Sequence, residues 1–212
     1  VQVIVDGSDL TVQSAARQLA SLPLDGRAAS ASQIAMLPLY NPERRSAVNV
    51  VPGLIGVILT MTMVMFTAMA IVRERERGNL ELLITTPVSS AELMIGKVLP
   101  YIAVGLIQTT VVLLLGIGVF AVPVRGHLID VYGAAMLLIV ANLALGLLVS
   151  TRAQTQFQAM QMAFFLFLPS ILLSGFMFPF DGMPRPAQWI AEGLPLTHFV
   201  RLIRGVMLRG AS

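Results

Sequence analysis

Four stretches of this chain contain no aspartate, glutamate, lysine or arginine: Ser46 to Val72, Val98 to Val124, Val131 to Thr151, and Ala153 to Phe180. A hydrocarbon core about 30 Å thick is crossed by roughly 20 apolar residues of helix, and each stretch reaches that length. Soluble helical bundles seldom contain runs of this kind in such succession. The spacing predicts membrane spans near 50–72, 98–120, 131–151 and 157–177. Charge content agrees. Only 12% of the residues are charged and 56% are hydrophobic, whereas a soluble domain carries about 25% charge. A soluble surface needs charge and a lipid-facing surface excludes it. The net charge of +3 does not indicate nucleic acid, because the basic residues sit at the ends of the apolar runs, where they read as membrane-flank anchors. Cysteine is absent, so disulfides and thiolate metal sites are excluded from these residues.

Small residues recur within the spans, among them Gly53, Gly56, Gly105, Gly116, Gly118, Gly146 and Gly175, and small residues let membrane helices approach closely. Pro52 is expected at a helix start, where its missing N–H is harmless. Pro100 falls in the first turns of the second span, and Pro169 is expected to kink the fourth.

Residues 1–45 differ in character. Val1 to Val5 reads as a strand ended by Asp6-Gly7. Ser8 or Asp9 can cap a helix with Leu10, Ala15, Leu19 and Leu22 on its apolar face. Pro23 to Ser32 is loop-like, and Ile34 to Tyr40 reads as a second strand. The expectation is the end of an α/β domain that is too small to hold a core alone. The chain opens on Val1 and closes after a polar helix, so it is read as a piece cut at both ends, with no signal peptide in view.

The segment between the first two spans is unusual. In Arg73-Glu74-Arg75-Glu76-Arg77-Gly78-Asn79-Leu80-Glu81 the charges alternate, a glycine follows, and an amphipathic stretch begins. On a helix, Glu74 with Arg77 and Arg77 with Glu81 fall on one face, beside an apolar stripe of Leu80, Leu83 and Ile84. Thr86-Pro87 stops the run, and Ser89 with Glu92 fits a capping box for the helix entering the second span. A short surface helix joined to two spans suits docking of a soluble partner; the plainer reading is a solvated loop. With alternating spans, loop 73–97 shares a side with Arg152, and the basic residues favour that side as cytoplasmic.

Asn41-Pro42-Glu43, Val51-Pro52-Gly53, the charged run through Glu81, Thr85-Thr86-Pro87-Val88 and Gly96-Lys97 together resemble the permease subunit of type 2 ATP-binding-cassette exporters, drug-efflux-like bacterial branch. The pattern continues through Val122-Pro123-Val124-Arg125-Gly126, Ser174-Gly175-Phe176-Met177-Phe178-Pro179, Met183-Pro184, Pro195-Leu196-Thr197 and Arg204-Gly205. Asn79 departs from it, since the family usually has Thr there. The resemblance implies a mostly α membrane protein, with this chain supplying about four transmembrane helices of a six-span permease. Residues 1–45 would end an extracytoplasmic α/β domain, and 46–212 would form the transmembrane domain, with outer-leaflet amphipathic helices over 181–210. Loop 73–97 would be the cytoplasmic coupling helix, with Arg73, Glu74, Arg75, Glu76, Arg77, Gly78, Leu80 and Glu81 contacting the ATPase. ATP and magnesium would bind that partner ATPase, leaving no cofactor on this chain; no GxxxxGK[ST] stands in it. Expected partners are the ATPase subunit, a second permease half and the lipid bilayer, with a periplasmic adaptor as a further candidate. The expected location is the bacterial inner membrane.

After the fourth span, Pro179, Pro184, Pro186 and Pro195 exclude one continuous helix. From Leu196 onward, Phe199, Leu202, Ile203, Val206 and Met207 form an apolar face and Arg201, Arg204 and Arg209 an opposite one. That pattern reads as an amphipathic helix in the membrane interface, with Trp189 at headgroup level. Gln108 and Asn142 lie within spans. The commoner use of such groups is bonding between helices. The alternative is that they line a substrate path or exit gate together with Phe176, Phe178, Arg201 and Arg204, the arginines meeting an anionic substrate or headgroup.

Other chemistry fits poorly. His127 and His198 are the only histidines, with no HExxH, so zinc hydrolysis is not expected. No histidine lies within a span to activate Ser174. No carboxylate or lysine lies mid-span, which disfavours a proton relay and the main alternative function, an ATPase-independent channel or ion-coupled carrier. A membrane-anchored scaffold would have no use for the docking element.

Overall fold

The structure, a computed structural model, describes residues 2–6, 35–39, 46–78, 90–122, 124, 126–178 and 180–209. Among the described residues the architecture is mostly helical, and four helices are long and apolar enough to cross a membrane. These are α1 (Ser46–Glu76), α2 (Ser90–Gly118), α3 (Leu128–Arg152) and α4 (Gln156–Leu173). Two short helices follow, α5 (Arg185–Glu192) and α6 (Pro195–Arg204), and α6 runs into a π-helical turn over Gly205–Arg209. At 31 residues, α1 extends about 46 Å at 1.5 Å per residue, well beyond a hydrocarbon core of about 30 Å. That surplus lets its charged Arg73–Glu76 end project past the apolar layer.

Near the N-terminus, β1 (Gln2–Asp6) and β2 (Ala35–Leu39) pair in parallel, Gln2 beside Ala35 through Asp6 beside Leu39. These are close to the expected strands. The helix expected over Leu10–Leu22 lies outside the described residues. A two-stranded pair is not a stable unit by itself, and the end of a larger α/β domain expected over residues 1–45 is not supported beyond these two strands.

The helix bounds differ from the expected spans in instructive ways. α1 begins at Ser46, which puts Pro52 inside the helix rather than at its start. At its other end it runs through Arg73–Glu76, which the sequence reading assigned to a loop. Ser89 lies outside the described residues; α2 begins at Ser90 with Glu92 in its first turn. α4 continues through Pro169 but stops at Leu173, short of the expected residue 177. There the Ser174 hydroxyl bonds to Ile171 O at 3.0 Å and receives the Phe176 N–H at 3.3 Å. Gly175 turns the chain at φ +80°, a region that only glycine enters at no steric cost.

The inner helices are α1 and α3, which bury 56% and 50% of their most apolar stretch; α2 and α4 bury 17% each. One core cluster joins Ile55, Leu59 and Met63 of α1 to Ala135, Ile139 and Leu143 of α3 and to Leu196, Phe199 and Ile203 of α6. A second joins Val64, Ala68 and Val72 to Val149, Ala153, Ala159 and Ala163, near the Glu76 end of α1. Small side chains dominate the second cluster, so backbones meet closely there. At Gly146 an added Cβ would fall 2.9 Å from Val64 O and 2.8 Å from Thr67 Cβ.

α6 corrects the interfacial reading. Leu196, Phe199, Val200, Ile203, Val206 and Met207 are buried within the protein, against α1 and α3, while Leu202 is half exposed. The apolar stripe follows helical spacing as expected, but protein covers it instead of lipid. Trp189 on α5 is 73% exposed, as suits an interfacial ring.

Gly146→Val is expected to destabilise the protein by about 1–3 kcal/mol through overpacking against a backbone that cannot retreat. Gly133→Val on the same helix meets open space and is expected to be neutral. Thermal unfolding in detergent compares the two.

Candidate functional site

The charged end of α1 is the most connected polar feature among the described residues. The helix stops because Gly78 takes φ +70° and its N–H returns to Arg75 O at 3.1 Å, a glycine-based helix termination. Immediately before it, three successive side chains reach three different helices. Glu74 forms an ion pair with Lys97 of α2, both groups half-buried. Arg75 Nη1 donates to Ala153 O, at the end of α3, at 3.1 Å. Glu76 Oε1 accepts the Gln156 N–H, at the start of α4, at 2.9 Å, and its Oε2 accepts from Gln156 Nε2. Successive helical residues turn by about 100°, so three of them span about 200° of the helix and can face three different neighbours.

The end of α1, Lys97 and the α3–α4 turn therefore lie at one end of the bundle, as alternating spans require. The expected pairing of Glu74 with Arg77 is replaced by the Glu74–Lys97 ion pair. Arg73, Arg75, Glu76, Arg77 and Gly78 are all exposed. Leu80, Glu81 and the expected surface helix lie outside the described residues. Sequence reasoning missed Lys97 and Gln156 as partners. The available signals were that Lys97 is the chain's only lysine and that Gln154, Gln156, Gln158 and Gln161 crowd the start of the fourth span.

Between α1 and α4 lies a groove of about 450 Å³, a size that suits a small ligand. Met61 and Met65 form one wall, Phe157, Met160, Phe164 and Phe167 the other, and Gln161 is the main polar group. Thioethers on flexible stems adapt to varied apolar shapes and favour aromatic neighbours. Phe157, Phe164 and Phe165 are at least half exposed, so the wall continues onto the outer face of α4.

The polar residues within the spans bond across helices. Gln108 Oε1 of α2 lies 2.9 Å from Thr62 Oγ1 of α1. Asn142 Nδ2 of α3 donates to Thr60 Oγ1 of α1 at 3.1 Å, with Asn142 fully buried. Thr110 and Tyr132 hydroxyls join α2 to α3 at 2.7 Å. The other candidate gate residues gather at the opposite end from Glu76. Phe176 lies over Gly53, where a Cβ would meet its ring. Arg204 Nη1 donates to Gly175 O at 3.1 Å, and the Arg201 guanidinium stands 4.0 Å from the Phe180 ring centroid, within cation–π range. Phe178 is exposed beside them. Thus Phe176, Arg201 and Arg204 all bear on segment 175–180 or its neighbours, whereas Gln108 and Asn142 belong to the interhelical bonds.

The profile of the ABC-2 type transporter family matches residues 24–208. The chain belongs to that family. It is 34% identical over 172 residues to a probable multidrug ABC transporter permease, YbhS, of Escherichia coli K12, covering 81% of this chain and 46% of that one. It is 33% identical over 181 residues to YbhR of the same organism, which carries the same description, covering 85% of this chain and 49% of the relative. A third relative, the inner membrane transport permease YhhJ of Escherichia coli K12, is 32% identical over 164 residues, 76% of this chain and 44% of its own. The chain thus spans less than half the length of these relatives. No solved structure matches it.

A double-mutant cycle on Thr62→Val and Gln108→Leu is expected to give a coupling energy of about 0.6 kcal/mol, the usual size for hydrogen bonds between membrane helices. Denaturant unfolding in mixed micelles measures it.

Proposed function

We propose that this chain is part of the permease subunit of an ATP-binding-cassette exporter in the bacterial inner membrane. It moves hydrophobic or amphipathic molecules, such as drug-like compounds, lipids or glycoconjugates, out of the cytoplasm. ATP and magnesium bind a separate ATPase subunit, and two permease halves face each other in the working complex. The observation that carries this reading is the charged end of α1. It abuts the segment expected to dock the ATPase and is tied by side chains to α2, α3 and α4. A purely solvated loop has no use for three such ties. Family membership and the description of YbhS and YbhR as probable multidrug permeases support the same reading.

In this scheme the ATPases close on binding ATP and push on segment 77–89, with exposed Arg73 and Arg77 and the adjoining Leu80 and Glu81 as the docking surface. The helices respond by alternating access. The Met/Phe groove takes an apolar substrate: it is adaptable, nearly free of polar groups, and bordered by the exposed aromatic face of α4. Substrate leaves past segment 175–180, where Phe176, Phe178, Arg201 and Arg204 lie at the opposite end.

Reversing the charges at Arg77 and Glu81 together keeps their mutual attraction on a helix but inverts what a partner meets. The ATPase is expected to co-purify with the full-length permease and to be lost from this double variant. Undiminished co-purification rejects the docking surface. Phe164→Ala removes a large apolar contact, about 1.5–3 kcal/mol when fully buried. It is expected to slow efflux of a lipophilic dye up to roughly tenfold while leaving ATPase binding intact, as read by cell fluorescence.

A further inference from the structure

Arg75 and Glu76 have a role that docking does not require. The connection from α3 to α4 is only residues 153–155. A helix end leaves backbone carbonyls unsatisfied and a helix start leaves N–H groups unsatisfied; here one of each is met by side chains of α1. The Arg75 guanidinium donates to Ala153 O, beside the partial negative charge at the end of α3. The Glu76 carboxylate accepts the first N–H of α4, beside its partial positive charge. Thr155 completes that start as N-cap, accepting the Gln158 N–H at 3.2 Å, while Gln158 Oε1 accepts the Gln154 N–H at 2.9 Å. Arg75 and Glu76 are exposed, and the alternation of their charges matches the alternation of sign across a tight helix–helix turn. Ala153 is fully buried in the small-residue cluster beneath, so the turn sits directly on α1.

We propose that Arg75 and Glu76 are positioning residues that clamp the α3–α4 turn to the end of α1, so that displacement of the docking segment is delivered to α4 and the groove wall it carries. They touch neither ATPase nor substrate. At this end of the bundle α2 is joined to α1 differently, through the Glu74–Lys97 ion pair. This inference rests on the exporter reading for its purpose, but the clamp itself is a property of the permease alone.

Two measurements on the full-length permease test it. The first uses no ATPase. In hydrogen–deuterium exchange, Glu76→Ala is expected to speed exchange in the peptide 154–159 about tenfold, the effect of losing one capping interaction. Glu76→Gln keeps one acceptor for the Gln156 N–H but turns an amide donor toward Gln156 Nε2, so it is expected to fall between. Unchanged exchange in Glu76→Ala overturns the clamp. The second places Met160→Cys on α4 as a thiol reporter, within 212 residues that contain no cysteine. In the complex with its ATPase, labelling of this thiol is expected to change several-fold between the nucleotide-free state and MgATP with vanadate. Adding Glu76→Ala is expected to abolish that response while the ATPase still co-purifies and hydrolyses ATP. A response that survives Glu76→Ala overturns the proposal, as does a parent thiol that ignores nucleotide. Loss of the ATPase from Glu76→Ala would assign Glu76 to docking and overturn it equally. A parent that binds no ATPase at all would reject the exporter reading, leaving the exchange result to decide the clamp.

Discussion

The contact between α1 and α3 is the interaction on which the rest of the bundle depends. Gly146 brings the backbone of α3 against Val64 O and Thr67, and no larger residue permits that approach. In lipid, apolar side chains gain little by leaving one hydrocarbon surface for another, so close packing and interhelical hydrogen bonds must hold the helices together. The small-residue cluster and the Asn142–Thr60 bond provide both along this seam. With α1 and α3 fixed, α2 and α4 flank them with most of their apolar surface outward, and α6 fills the remaining face of α1 near Gly56.

The central place of α1 also explains its charged end. A peripheral helix would meet one or two neighbours, and alternating charges there would mostly face water. α1 meets helices on three sides, so Glu74, Arg75 and Glu76 each find a different partner. Where the helix leaves the membrane, polar bonds take over from small-residue packing. The two regimes meet near Val72 and Ala153, both fully buried. In the proposed exporter this joint stands between the docking segment and the apolar groove.

Much of this arrangement was legible before the fold was known. The spans were visible because burying a charge in hydrocarbon is costly wherever the helix lies. Gly78 was visible within the charged run, and the stripe of Phe199 and Ile203 followed from spacing. Three things were not. The cover over that stripe could be lipid or protein, since both reward the same apolar side chains; burial of Leu196 and Val200 decided for protein. The end of α4 depended on the local turn at Ser174 and Gly175, which hydropathy does not register. The partners of Glu74 and Glu76 depended on which distant residues came near; for Glu74 helical spacing proposed the nearer Arg77 instead.

The sequence by itself determined how many segments cross the membrane, roughly where they begin and end, and which loop carries concentrated charge. These are local properties, because the energetic cost of a charge or a break in lipid is decided by the segment that contains it. Only the tertiary structure decided that α1 is the centre of the bundle, that α6 is covered by protein, and that Arg75 and Glu76 grip the α3–α4 turn. Those contacts join residues far apart in the chain, and their geometry exists only once the close crossing at Gly146 has set how the helices lie together.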